Sequence, residues 1–308
     1  MSTRTRPDAG HGPFDHRMAV FDTDEEFLKA ALPFLTEALA APDEPSPVAI
    51  VAPARLALLR DALDQDPPVT LIPHTDWYTG TAANAISRAA GYLAEHAGPG
   101  GRLHLLMEPD WGGRAGSSAR ESTEWIRYES LANLLFAPLA TTALCVYDTR
   151  TAGRAVIAEA RRAHPDTGVY EDPYRLTAEL DAAVPLPPPP GDAQAVPVPE
   201  VAAWAGARGL GPADAALLGA AVAEAAAELA TPSPAVLAWG TAPACVCELR
   251  VPRRVGDPLV GFVPPRGALG PERGQGLWFA RQVCAYVDVR DGAGEGQGAG
   301  ATVRLQYG

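Results

Sequence analysis

The stretch G-P-E-R-G-Q-G-L-W-F-A-R-Q-V-C, residues 270–284, runs a glycine-rich loop into an apolar, helix-like segment. Close-set backbone N–H groups and a helix N-terminus both attract anions, so Gly270, Gly274 and Gly276 could cradle a phosphate. A single G-x-G is weak evidence, and its meaning depends on what else the chain carries. A second group of chemically capable residues is spread over the first half. Glu108, Trp111 and Arg114 follow one apolar run, and Tyr147 and Asp148 close another. Glu129 and Asn133 are spaced i,i+4 and so share a helix face; Asn133, flanked by Leu131, Leu134 and Leu135, reads as partly buried and hydrogen-bonded. His16 and His164 are distant in sequence and have no third ligand beside them, which favours structural histidines over a metal site. The four cysteines, Cys145, Cys245, Cys247 and Cys284, lack the C-x-x-C spacing of a zinc or redox site and read as buried free thiols. Cys245 and Cys247 share one face of a strand and are too close for a relaxed disulfide. The expectation is no bound metal, and no Ser/His/Asp or Cys/His arrangement stands out.

The elements that must position these residues fall into two blocks. In the first, apolar runs at 18–22, 48–52, 69–73, 103–108 and 143–148 alternate with amphipathic helical stretches at 23–39, 55–63, 82–96, 118–136 and 154–164. Thr23 and Glu26 predict a capping box at the start of the first helix. Such alternation predicts a parallel sheet covered on both faces, with ligands at the C-terminal ends of the strands. No G-x-x-x-x-G-K-[ST] follows any strand, and the first strand ends in D-T-D-E-E, whose carboxylates would repel phosphate. The stretch A-A-V-P-L-P-P-P-P-G-D-A-Q-A-V-P-V-P-E, with four consecutive prolines, predicts a semi-rigid linker. Beyond it lie helical stretches at 201–208 and 213–230, strands at 235–239 and 244–251, the glycine loop with its helix, and closing strands at 285–290 and 301–307. This order predicts an α+β sandwich with helices on one face of a mixed sheet, in which Trp204, Trp239 and Trp278 anchor the core.

A length of 308 residues suits two domains. A net charge of −12 argues against nucleic acid as a partner. The N-terminal residues lack the apolar core of a signal peptide and no apolar run is long enough to span a membrane, so the expected location is the cytoplasm.

Five motifs in the first block, F-D-H just before the first strand, E-P-D-W-G-G-R, R-Y-E-S-L-A-N-L-L-F, V-Y-D-T and A-R-R-A-H-P, together resemble the MEDS sensory domain over roughly residues 14–175. The resemblance implies an α/β, RecA/KaiC-like core without a phosphate loop, a domain over 14–180, and a small-molecule pocket drawn from His16, Glu108, Trp111, Arg114, Glu129, Asn133, Tyr147 and Asp148. The second block, 201–308 after a linker at 181–200, is similar to the GHKL ATPase domain of histidine kinases, in the anti-sigma-factor branch. The motifs are A-E-L-A-T, C-E-L-R, D-P-L-V-G, G-Q-G-L-W and G-A-T-V-R-L. That family needs an Asn for Mg²⁺ where Pro232 stands, an Asp for adenine where Val251 stands, and a Gly where Arg253 stands. Glu228, the base of an active kinase, would then have nothing to activate and reads as a helix-surface or sheet-facing carboxylate. Gly270, Gly274, Gly276 and Asp257 would be a vestigial nucleotide site, with no cofactor expected and ATP/Mg²⁺ bound only if a divergent site still works. The resemblance implies a cytoplasmic regulator acting on a sigma factor or an anti-sigma-factor antagonist, with a small-molecule ligand at the first domain, no nucleic-acid or membrane partner, and a homodimer as one assembly. Two alternatives are an active serine kinase and a ligand-binding scaffold whose second domain serves for dimerisation.

Overall fold

The computed structural model describes residues 14–63, 68–97, 101–229, 235–257, 260–262, 276–292 and 300–308. The chain divides into two compact units, one of residues 1–79 and 88–176, the other of residues 80–87 and 177–308.

The first unit begins with β1 (Phe14–Phe21) and α1 (Asp24–Leu39). β1 therefore starts at Phe14, so His16 lies within the strand rather than before it. The polar run Asp15–His16–Arg17 hid those residues from a hydrophobicity reading; pairing along the whole of their neighbour strand fixes them. The Thr23 hydroxyl accepts the Glu26 N–H at 3.2 Å, as a helix N-cap does. The Glu26 carboxylate takes the Asp22 N–H instead of the Thr23 N–H, so the capping arrangement reaches one residue further back than the standard box. There follow β2 (Val48–Val51), α2 (Pro53–Ala62), β3 (Thr70–Pro73), a single turn α3 (His74–Trp77), α4 (Ala82–His96), β4 (Leu103–Met107), α5 (Ala119–Leu135), β5 (Thr141–Asp148) and α6 (Thr149–Ala163). The five strands are parallel, in the order β1-β5-β4-β2-β3.

Because side chains alternate across a strand, each sheet face has its own core. Phe21, Ala49, Val51, Leu106, Leu144 and Val146 pack under α1 and α2. On the other face lie His16, Leu105, Met107, Ala143, Cys145 and Tyr147, toward residues of α4 and α5. The D-T-D-E-E segment is not a bare anionic patch: Asp24 pairs with Arg55 at 2.7 Å and with Arg150 at 3.4 Å. Helix α6 breaks at Gly153, whose φ of 72° and ψ of 164° lie in a region open essentially to glycine alone. Gly153→Ala is expected to cost about 1–3 kcal/mol, read as a lower urea midpoint.

The chain continues through α7 (Pro173–Ala183), β6 (Gln194–Pro197), α8 (Val201–Ala207), α9 (Pro212–Glu228), β7 (Ala235–Thr241), β8 (Ala244–Val251), α10 (Gly276–Val283), β9 (Tyr286–Asp291) and β10 (Ala301–Tyr307). The second sheet has the order β6-β7-β8-β10-β9. Its pairings are all antiparallel, not mixed. The Pro-rich stretch is not wholly linker: residues 194–197 form β6, an edge strand, where a proline costs no ladder bond.

One face of this sheet, with Ala238, Cys245, Cys247, Leu249, Val303 and Leu305, packs under α8, α9 and α10. Helix α9 offers mostly small residues to it, Ala215, Ala221, Val222 and Ala225 among them, so bulky rings find room only at the margins. Trp204, Trp239 and Trp278 are accordingly half-buried rather than core anchors. The opposite face is charged yet buried. Glu248 pairs with Arg304 at 2.6 Å, and Arg304 also donates to the Pro187 carbonyl at 2.8 Å and stacks over Trp239. Arg290 bridges Asp181 and Asp288 and donates to the Val184 carbonyl.

All four cysteines are free and buried. Burial pushes the Cys284 thiol up to about 12 and Cys247 higher still, so neither is a nucleophile near neutral pH. At pH 8 a disulfide reagent should leave both unmodified in the native protein and titrate them once guanidinium unfolds it.

Candidate functional site

Four ligand-type side chains converge on the inner face of the parallel sheet. β1 runs beside β5 with His16 opposite Ala143, so His16, Cys145 and Tyr147 point to the same side. Helix α5, capped by the Ser118 hydroxyl on the Glu121 N–H, lays Glu129 and Asn133 over that face. His164 closes α6 in extended backbone. His16 Nε2 lies 3.3 Å from Glu129 Oε2 and 3.3 Å from Cys145 Sγ. Cys145 Sγ is 3.5 Å and His164 Nε2 3.8 Å from the same carboxylate oxygen. The two imidazole rings are 4.0 Å apart, and all four residues are buried.

The outer hydrogen bonds fix the protons. The Asn133 amide nitrogen donates to the Ala163 carbonyl at 2.7 Å, which turns its oxygen toward His16 Nδ1 at 3.1 Å. His16 thus directs Nδ1 at the Asn133 oxygen and Nε2 at Glu129 and Cys145. His164 Nδ1 donates to the Ala160 carbonyl at 2.7 Å and likewise presents Nε2. Burial, and then the neighbouring His16, hold His164 well below the usual histidine range, so it is neutral. Burial first and the Glu129 carboxylate second push the Cys145 thiol well up. His164 Nε2 and Glu129 Oε1 are buried with no hydrogen-bond partner; burial first and the Glu129 carboxylate second raise the neighbouring Tyr147 hydroxyl well above the tyrosine range. Tyr78 and Tyr128 complete the surroundings, their hydroxyls raised well above the tyrosine range chiefly by burial. The centre thus holds two imidazoles, a carboxylate and a thiol out of water with two acceptor atoms unpaired, a costly state unless something electrophilic binds. A small apolar cavity, with room for about one water-sized molecule, adjoins it and reaches His16, Glu129 and Cys145 past Phe14, Leu93 and Phe136.

The other anticipated pocket residues lie elsewhere on the unit. Glu108 follows β4 at the point where the strand order reverses, and its carboxylate takes the Ala52 N–H at 2.8 Å. Burial raises the Glu108 carboxyl, against that hydrogen bond and the nearby His74 and Arg55. Asp148 ends β5 and caps α6; burial pushes it up, but hydrogen bonds from Arg150 and the Arg55 charge prevail and lower it. Trp111 is buried and stacks on Tyr147 at 6.0 Å. Arg114 is engaged with Glu121 at 3.3 Å. Of the eight anticipated residues, His16, Glu129, Asn133 and Tyr147 meet at the cluster. Cys145 and His164 were read as a buried thiol and a structural histidine; the strand order brings them to His16, which no sequence spacing encodes. The one available signal was parity: Cys145 sits two residues before Tyr147 on a strand already singled out.

In the second unit the Glu228 carboxylate accepts the Leu277 N–H, so it caps α10 instead of lining a helix surface. Gly276 is the first residue of α10 and lies against α9. Asp257 is exposed. Gly270, Gly274 and Pro232 lie outside the described residues.

Residues 15–165 match the MEDS family, the MEthanogen/methylotroph, DcmR Sensory domain. His16, Glu129, Cys145 and His164 all fall inside the MEDS segment, as does the sheet that carries them. No curated protein and no solved structure matches the chain. No helix among the described residues is long and apolar enough to cross a membrane.

The Asn133 amide ties His16 to the end of α6. Asn133→Leu removes the acceptor for His16 Nδ1 and the donor for the Ala163 carbonyl. It should cost about 1–3 kcal/mol in urea unfolding.

Proposed function

We propose that this chain is a signalling regulator whose MEDS segment senses a small ligand at the buried His16–Glu129–Cys145–His164 cluster. The observation that carries the reading is the buried meeting of two imidazoles, a carboxylate and a thiol, with His164 Nε2 and Glu129 Oε1 unpaired, beside an apolar cavity within that segment. A purely structural polar core would have its acceptors satisfied. The second unit, in this reading, is a GHKL-like domain that no longer turns over ATP and passes the signal by protein contact, its partner a sigma factor or an anti-sigma-factor antagonist. Three features support silence toward nucleotide. Pro232 stands at the metal-ligand position of the resembling family and Val251 at the adenine-reading position, while Glu228 is occupied as a helix cap.

Calorimetric titration with ATP and Mg²⁺ tests the catalytic half of the proposal. No heat at millimolar ATP is the expected outcome, and micromolar binding would overturn it in favour of an active kinase. Capture of a purified sigma factor by the full-length protein tests the regulatory half; its absence across the candidate sigma factors and antagonists would refute a contact mechanism.

A further inference from the structure

We propose that His16, Glu129, Cys145 and His164 bind one Zn²⁺ ion tetrahedrally. The ligand atoms are the two Nε2 nitrogens, a Glu129 oxygen and the Cys145 sulfur. The inference rests on reading this cluster as the sensory site and names the ion that it holds.

Distances carry the first argument. Zinc bonds of about 2.0–2.1 Å to nitrogen and oxygen and about 2.3 Å to sulfur, at tetrahedral angles, set donor–donor separations of about 3.3–3.6 Å. The cluster shows 3.3, 3.3 and 3.5 Å among His16, Glu129 and Cys145, and 3.8 Å from His164 to Glu129. All four ligand atoms lie within 4.8 Å of one another. His164 is the ligand that must draw in to complete the figure.

Tautomers carry the second. Both imidazoles donate Nδ1–H to an oxygen, His16 to Asn133 and His164 to the Ala160 carbonyl. That is the outer arrangement that orients a histidine toward a metal, and it aims both Nε2 atoms at the same carboxylate oxygen.

Donor type and charge carry the third. Two imidazoles and a thiolate suit a borderline ion and are poor ligands for Mg²⁺ or Ca²⁺. Binding converts the Cys145 thiol to thiolate, its proton leaving to solvent, so Zn²⁺ is balanced by one thiolate and one carboxylate and the buried site is neutral.

The test uses the full-length protein, stripped with a chelator and reloaded with Zn²⁺ or with Co²⁺ as a spectroscopic substitute. Elemental analysis should find one zinc per chain. Co²⁺ should give the visible bands of a tetrahedral ion and a near-ultraviolet thiolate charge-transfer band. Cys145→Ser should abolish that band, whereas Cys247→Ser should keep it. His164→Gln should weaken zinc binding at least about tenfold. Circular dichroism establishes that each variant is folded, and the wild-type Co²⁺ spectrum reports sulfur ligation independently of any variant. A folded protein that takes up no stoichiometric metal, or whose charge-transfer band survives Cys145→Ser, overturns the site. Absence of metal from a protein that still captures a sigma factor would sink the zinc site and leave the regulator reading; stoichiometric zinc in a protein that captures none would do the reverse.

Discussion

The Gly276→Ala variant is expected to melt roughly 6–12 °C below the parent protein, for a loss of about 3 kcal/mol. A Cβ at position 276 would stand 2.1 Å from the Glu224 carbonyl oxygen and 2.4 Å from its carbon. Both atoms belong to the backbone of α9, so no side-chain rotation can relieve the contact, and α10 must move off α9. Such a shift would also loosen the Leu277 N–H from Glu228. A glycine that sequence reading assigns to a phosphate loop therefore has a packing reason to be there. Differential scanning calorimetry on the full chain reads the effect. A variant that melts like its parent would show that the helix pair tolerates the methyl and that packing does not explain this glycine.

Arg304→Met should cost the second unit about 3–5 kcal/mol, because it strips the main partner from a buried carboxylate. Glu248 is 3% exposed and Arg304 7%. What remains near Glu248 is Arg250, at 3.5 Å but largely in solvent, and an exposed cation offsets little of the burial penalty. The substitution also removes the hydrogen bond to the Pro187 carbonyl and the stacking over Trp239. The double variant Glu248→Met/Arg304→Met should recover most of the loss, since paired apolar side chains of similar volume avoid the uncompensated charge. Urea unfolding of the two variants and the parent measures both. If the double variant falls as far as the single one, the loss comes from Arg304's other contacts and not from the stranded carboxylate.

What the sequence made legible follows the range of the forces involved. Alternating apolar runs and helical stretches are local, and they foretold the parallel sheet with helices on both faces. Motif order foretold the MEDS match. His16, Glu129, Asn133 and Tyr147 were singled out individually, but their meeting was not. It depends on β1 pairing with β5, which brings together His16 and Cys145, 129 residues apart. Strand order is set by long-range packing that no short spacing records. The same reason hid Cys145 and His164, since a cluster assembled from four separate elements has no C-x-x-C or H-x-x-x-H to betray it. Edge strand β6 was lost inside a proline-rich stretch, because prolines forbid helix strongly and forbid an edge strand hardly at all.

The pairing of Phe14 with Thr141 has a consequence during synthesis. The first strand of this sheet to be made must wait for the last before it gains a neighbour. Until then β1 is an unpaired segment, and His16 has no carboxylate, thiol or second imidazole to meet. A nascent chain ending before His164 cannot assemble the four-residue centre at all. Occupancy of that centre would therefore certify that the parallel sheet, from its first strand to its last, has been made and folded together with α5 and α6.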